Sequence, residues 1–349
     1  MINKFSTEWK LTNQIADHQY QQALLAVQEH AGSDEEKVEM LIEIAMGLQQ
    51  KPKSAQQLFN AVALYDEAQN LCPEVEIETI ARIEARRGTA LQAIPSEDAK
   101  YLEKAVTCYR KALDLLPQVE YAEEVGEIEM NLGLALQSLS GLNKAPITEA
   151  ISAYQRALRV FTKHKYPTEF SIIHNNLATA FLSIPMVDEK AKMREAMAVQ
   201  SFEAALEVIT IIDNPSEFAM LQNNLGNALQ YVTSSHGIEN KLRALDAYDE
   251  ALRVRNPHDT PLEYANTISN KANCLMNLPD DLENPEAGNE NHLREANRLY
   301  LEARYIFQEY DDKSKCQAID EVLADLTKEL GHGKGAPKDE RGFGTDRVH

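Results

Sequence analysis

The sequence predicts an all-α chain, an α-solenoid of about six helix-turn-helix units with a leading and a capping helix. One observation is a string of Ala, three residues, Tyr or Phe, two residues and Ala that occurs seven times. Its copies are Ala16-Tyr20-Ala23, Ala61-Tyr65-Ala68, Ala105-Tyr109-Ala112, Ala150-Tyr154-Ala157, Ala198-Phe202-Ala205, Ala244-Tyr248-Ala251 and Ala296-Tyr300-Ala303. A second pattern, small-x-small-large, falls between successive copies. It reads Ala45-Gly47-Leu48, Gly88-Ala90-Leu91, Gly133-Ala135-Leu136, Ala178-Ala180-Phe181, Gly226-Ala228-Leu229 and Ala272-Cys274-Leu275. Self-similarity at a fixed period is the signature of a repeat array that grows along one axis.

The aromatic string defines a B helix. Residues at i, i+4 and i+7 share one helical face, so two alanines admit a neighbouring helix and the ring fills the gap between them. The small-x-small-large string defines an A helix. Glycine inside a helix costs about 1 kcal/mol relative to alanine, so its recurrence at one register position signals a close helix crossing. From each B aromatic to the next A small residue the spacing stays at 23 to 25 residues, whereas from A to the following B it ranges from 20 to 28. Insertions therefore gather in the A-to-B turns.

In chain order, a leading B-type helix near residues 8 to 30 occupies segment 1 to 35, and six A/B hairpins fill 36 to 310. The variable turns are Ser138 to Pro146, Pro185 to Lys192, Thr233 to Asn240 and Pro279 to Asn291, rich in loop formers. Pro167, Pro215 and Pro261 each stand eleven residues before the A-helix small residue, with Glu169, Glu217 or Glu263 two residues on. Proline followed by an acid marks a helix start, because the missing N–H would be unsatisfied there and the macrodipole favours negative charge. A closing helix over 311 to 330 caps the array. Residues 331 to 349 carry five glycines and almost no apolar side chains, a composition expected of a flexible tail.

A hydrophobic fraction of 44% supports a continuous core, and a mean hydropathy of −0.42 argues against a membrane span. Without an apolar signal-peptide core near Met1 to Lys10, the expected location is cytoplasmic. A formal net charge of −20 disfavours nucleic acid and anionic membranes and steers basic partners toward the chain. Cys72, Cys108, Cys274 and Cys316 form no Cys-x-x-Cys pair, so reduced thiols are expected.

The segments Asn131-Leu132-Gly133, Asn176-Leu177-Ala178 and Asn224-Leu225-Gly226, with the Ala-Tyr/Phe-type B helices that follow them, resemble the tetratricopeptide repeat. The resemblance covers about residues 36 to 310. The usual unit is about 34 residues, whereas here successive B aromatics are 44 to 52 apart. That length, and the Asn-Asn-Leu strings at Asn175 and Asn223, are similar to the longer-repeat branch that includes the kinesin light chain.

The resemblance implies a right-handed superhelix whose concave surface is lined by the A helices. It also implies ligand contacts two and six places before the A small residue, one after it, and four or five after it. The place two before holds Glu43, Arg86, Asn131, Asn176, Asn224 and Asn270, so four consecutive units present asparagine. Neighbouring places add Asn227, Asn273, Asn266, Asn277, Gln92, Gln137 and Gln230. An asparagine ladder offers acceptors and donors to an extended peptide; equally, these amides can bond neighbouring helices. Arg82 and Arg86, one turn apart, face the task of holding a carboxylate, with Glu78 and Glu84 as local neutralisers and Glu127 and Glu129 giving the next A helix the opposite charge.

Nothing in the sequence supports catalysis. The histidines lack metal-ligand spacing, His174 among them, and Gly331 to Gly335 lacks the arrangement that cradles phosphates. The expected function is a non-catalytic scaffold or assembly chaperone, without cofactor or metal, that holds an extended protein or peptide client in an Asn-lined groove. The alternative is a regulatory accessory that binds a small ligand or signalling peptide and changes the solenoid's shape. The sequence leaves the oligomeric state open.

Overall fold

The computed structural model describes residues 18–96, 98–117, 120–184, 190–232 and 236–331. Residues 8–17 of the expected leading helix, Ala16, turn residues 185–189 and 233–235, and tail residues 332–349 lie outside the described set. Every regular element among the described residues is helical. The fold is all-α, a succession of helical hairpins of the solenoid type.

The chain divides into two compact units, residues 1–208 and 209–349. In the first, α1 (His18–Glu29) precedes the hairpins α2 (Asp34–Gln50) with α3 (Ala55–Leu71), α4 (Ile77–Ala93) with α5 (Lys100–Leu115), α6 (Ala122–Gly141) with α7 (Ile147–Ala157), and α8 (Pro167–Ser183) with α9 (Ala191–Leu206). In the second, α10 (Pro215–Tyr231) pairs with α11 (Gly237–Leu252) and α12 (Pro261–Met276) with α13 (Glu290–Glu309), and α14 (Lys313–Gly331) packs on α13. A short 3-10 turn, Pro285–Ala287, lies in the longest A-to-B connection. Even-numbered helices α2 to α12 are A helices, and odd-numbered helices α1 to α13 are B helices.

Local chemistry explains where the helices begin. Ser33 and Glu36 form a capping box at α2, each satisfying a backbone N–H. Pro167, Pro215 and Pro261 stand in the first turn of α8, α10 and α12, where the expected proline and acid signal places them.

The repeated strings form the core. The aromatic and both alanines are buried in each B helix from α3 to α13, and the rings of Tyr65, Tyr109, Tyr154 and Tyr248 are fully enclosed. Glycine in the A helix makes room for the ring of its own hairpin. A Cβ at Gly88 would lie 2.8 Å from Tyr109 Cε1, one at Gly133 2.5 Å from Tyr154 Cε1, and one at Gly226 2.6 Å from Tyr248 Cε1. Gly47, one small position later in its string, meets nothing within 4 Å. At the end of the second unit, Leu293, Leu299, Ile306 and Phe307 of α13 join Ile319 and Leu326 of α14 in one cluster with Ile268 and Leu275 of α12.

Candidate functional site

The A-helix face is built from places counted relative to the small residue over which the B aromatic lies. Residues at −6, −2, +1 and +5 follow i, i+4, i+7 and i+11, so they form one stripe along each A helix. Asn131, Asn176, Asn224 and Asn270, all at −2, are each half-buried, with part of the side chain open to solvent.

Their amides differ in what holds them. Asn175 donates to Asn176 Oδ1 at 3.3 Å, and Asn223 donates to Asn224 Oδ1 at 3.4 Å. Asn270 Nδ2 donates to Asn223 Oδ1 at 3.1 Å, linking α12 to α10 through the buried Asn223. The Asn131 side chain makes no hydrogen bond among the described residues. Within each unit, then, the ladder positions are partly exposed, and three of the four are oriented by a neighbouring amide.

Other predicted contacts turn inward. The hydroxyl of Tyr65 donates to Gln49 Oε1 at 3.0 Å, that of Tyr109 to Gln92 Oε1 at 2.7 Å and that of Tyr154 to Gln137 Oε1 at 2.8 Å. Gln92 and Gln137 therefore seal the buried phenols of their own hairpins. In the fourth hairpin the ring is Phe202, without a hydroxyl, and the corresponding A position is Leu182, without an amide. Asn227 does the same work in the fifth, accepting from Tyr248 at 2.7 Å while Gln230 donates to it at 3.4 Å. Burial pushes the Tyr65 phenol up to about 12, which keeps it protonated and donating.

Arg82 and Arg86 are also engaged. Arg82 donates to Glu39 Oε1 of α2 at 2.6 Å, and Arg86 directs its guanidinium to Met46 Sδ of the same helix. The partner of Arg82 is Glu39 rather than the expected Glu78 or Glu84. Both side chains of the Arg82–Glu39 pair are about half exposed, so the pair contributes little to stability.

Glu84 instead belongs to the interior, where its side chain is fully buried. Lys111 Nζ donates to Glu84 Oε1 at 2.5 Å, Arg87 Nη2 to Oε2 at 2.6 Å and Gln69 Nε2 to Oε1 at 2.9 Å. Burial alone would raise the Glu84 carboxyl, but the Lys111 hydrogen bond, the Arg87 charge and Gln69 together hold it below the usual carboxylate range. Glu129 repeats the arrangement one hairpin on, taking a bidentate Arg156 at 2.5 and 2.8 Å. It is buried, not exposed beside Glu127 as the sequence suggested. Both acids stand four places before the A glycine, and both cations stand one place before the closing B alanine.

His174 fills the corresponding position in α8. Its ring lies 4.3 Å from that of Phe170, its Nδ1 is buried without a hydrogen-bond partner among the described residues, and burial lowers its pKa from the ordinary value.

Among the described residues no group of His, Cys, Asp or Glu is placed to hold a metal ion, and no helix is long and apolar enough to cross a membrane. Cys72, Cys108 and Cys274 are buried free thiols and Cys316 is half-buried.

No protein-family model matches the chain, and no curated protein matches it. Solved structures similar to it include the following three. The TPR2AB domain of yeast Sti1 in its pHSP90 complex is 14% identical over 84% of this chain and 99% of its own, with a TM-score of 0.30. A Rap protein complexed with Competence and Sporulation Factor is 14% identical over 93% of this chain and 81% of its own, with a TM-score of 0.38. BtubC from P. vanneervenii is 13% identical over 91% of this chain and 100% of its own, with a TM-score of 0.30.

Proposed function

We propose that the protein is a non-catalytic protein- or peptide-binding scaffold whose A helices hold an extended client segment, in the manner of an assembly chaperone or adaptor. The observation that carries this reading is the half-exposed asparagine at one register position in four consecutive A helices. An extended chain presents N–H and C=O groups at regular intervals, and an asparagine amide pairs with both while ignoring side-chain identity. Orientation by Asn175 and Asn223 supports the reading, because a pre-set amide loses less rotamer freedom when a ligand arrives.

The test is client capture from native lysate by wild type and by a variant carrying Asn176→Ala with Asn224→Ala. Each lost hydrogen bond weakens binding by about 0.5–1.5 kcal/mol, so recovery of specific clients falls about tenfold. Helicity and melting temperature stay near wild type because both side chains are partly solvated. Undiminished capture by a folded double variant removes the asparagine face from the function.

A further inference from the structure

α12 and the residue that caps its C-terminus carry asparagine at every place of the stripe: Asn266, Asn270 and Asn273 in the helix and Asn277 at the cap. Three of these amides are polarised by the groups around them. Asn270 Nδ2 donates to Asn223 Oδ1 at 3.1 Å, Asn273 Nδ2 to the Tyr231 hydroxyl at 2.7 Å, and Asn277 Nδ2 to the backbone carbonyl of Asn273 at 2.9 Å. One N–H of each NH2 group thus has a partner within the protein, whereas the three Oδ1 atoms accept no hydrogen bond among the described residues. An amide carries two donors and an oxygen with two lone pairs, so half of the donors are used and all of the acceptors are open, and the row is acceptor-rich. At 1.5 Å per residue the row spans about 10 Å along α12.

The fourth asparagine shows what such an oxygen attracts. Asn266 Oδ1 accepts from Lys315 Nζ of α14 at 2.8 Å, and the same ammonium lies 4.7 Å above the Phe307 ring. A cation of the protein itself already occupies the first place of the stripe.

We propose that Asn270, Asn273 and Asn277 receive an arginine side chain from an extended partner segment. This deepens the scaffold reading and rests on it. A bare peptide backbone alternates donors with acceptors, so only its N–H groups use the surplus of acceptors in the row. A guanidinium carries five N–H donors in a rigid fork and no acceptor. Asn270 and Asn273 are i, i+3 neighbours, about 5–6 Å apart at Cβ, a separation that one fork bridges. A lysine ammonium, as Lys315 shows, engages the stripe at a single oxygen. The net charge of −20 steers cationic segments toward the molecule, and the polarised amides give them a place to stop.

The experiment is selection of a random dodecapeptide library on the full-length protein at about 0.15 M salt, where exposed charges beyond roughly 8 Å are screened. Hydrogen bonds to a charged group are stronger than those between neutral groups, so arginine should be enriched about tenfold in retained peptides, and more than lysine. Asn270→Leu with Asn273→Leu should abolish that preference. Asn273→Asp, which keeps an acceptor for arginine and can accept from the Tyr231 hydroxyl where asparagine donated to it, should preserve or increase it, and a helical melting curve checks each variant. Absence of arginine enrichment, or equal enrichment in the double leucine variant, overturns the proposal by leaving only general acidity. No arginine preference together with client capture that depends on Asn176 and Asn224 rejects this inference and leaves the scaffold standing. Arginine preference that depends on Asn270 and Asn273, with capture indifferent to Asn176 and Asn224, supports the acceptor row and rejects the ladder.

Discussion

The hairpins of residues 1–208 bury charge together with amides and alcohols, whereas among the described residues of 209–349 the buried polar side chains are an amide and an alcohol alone. Among the described residues, Glu84, Glu129, Arg194 and Glu195 are buried in the first unit beside Asn60, Ser171 and Ser201, while Asn223 and Thr267 are the buried polar side chains of the second. The stripes change along the chain as well, from Glu39, Arg82 and Arg86 in α2 and α4 to asparagine in α6, α8, α10 and α12. One repeat scaffold thus tolerates two kinds of polar interior, because the A-helix glycine and the B-helix ring carry the packing in both. The polar positions are then set by other demands.

The largest expected effect comes from forcing the second unit's chemistry into the first. Glu84→Gln keeps the shape of the side chain but takes the buried counter-charge from Lys111 and leaves Arg87 with Asp66 alone, at 2.7 Å. Breaking a buried ion pair costs about 3–5 kcal/mol; with Lys111 half exposed, the expected loss is about 3 kcal/mol by chemical denaturation. Combining it with Arg87→Met and Lys111→Met should recover most of that loss, since an apolar replacement of a buried pair is often neutral.

Glycine substitution tests what the two units share. Gly133→Ala and Gly226→Ala place a methyl against Tyr154 and Tyr248 and should each cost about 1–3 kcal/mol through overpacking. Gly47→Ala meets open space and should stabilise α2 by about 0.5–1 kcal/mol. Equal effects at all three positions would dissolve the link between glycine and ring.

The smallest effect belongs to His174. Burial lowers its pKa below the ordinary value of about 6.5, so the unfolded chain takes up the proton first. Stability should therefore fall as pH drops below about 6.5 toward the folded value, by less than about 1 kcal/mol while the ring is only partly protonated. His174→Phe should flatten that slope. Glu84 acts lower: its ionised form stabilises above about 4.5, and that contribution is lost as pH falls through its depressed folded value. Denaturation midpoints at pH 7.5 and 5.5 isolate the histidine.

The sequence made the fold legible because small and aromatic residues at fixed spacing leave few other structures that bury them. The rings of Tyr109, Tyr154 and Tyr248 lie over the glycines that the periodicity selected. The site was less legible, because an amide at a helix-face boundary can turn either way. Gln92 and Gln137 share the stripe's chemistry, yet the nearest unsatisfied donor is a buried phenol and it captures them. Glu84 and Glu129 were hidden among 55 acids. Their signal was a partner elsewhere, Lys111 or Arg156 one place before the closing alanine. The acceptor row on α12 could not be read at all, since its polarity depends on where Asn223 and Tyr231 direct their own polar atoms.

Because each glycine notch receives the ring of its own hairpin, a hairpin brings both halves of its fastening with it. Duplicating one adds a complete unit without asking the rest of the core to change, and it adds one more face to the surface that meets partners. Selection can then lengthen that surface, or rewrite its polar letters one helix at a time, while the fastening stays as it was.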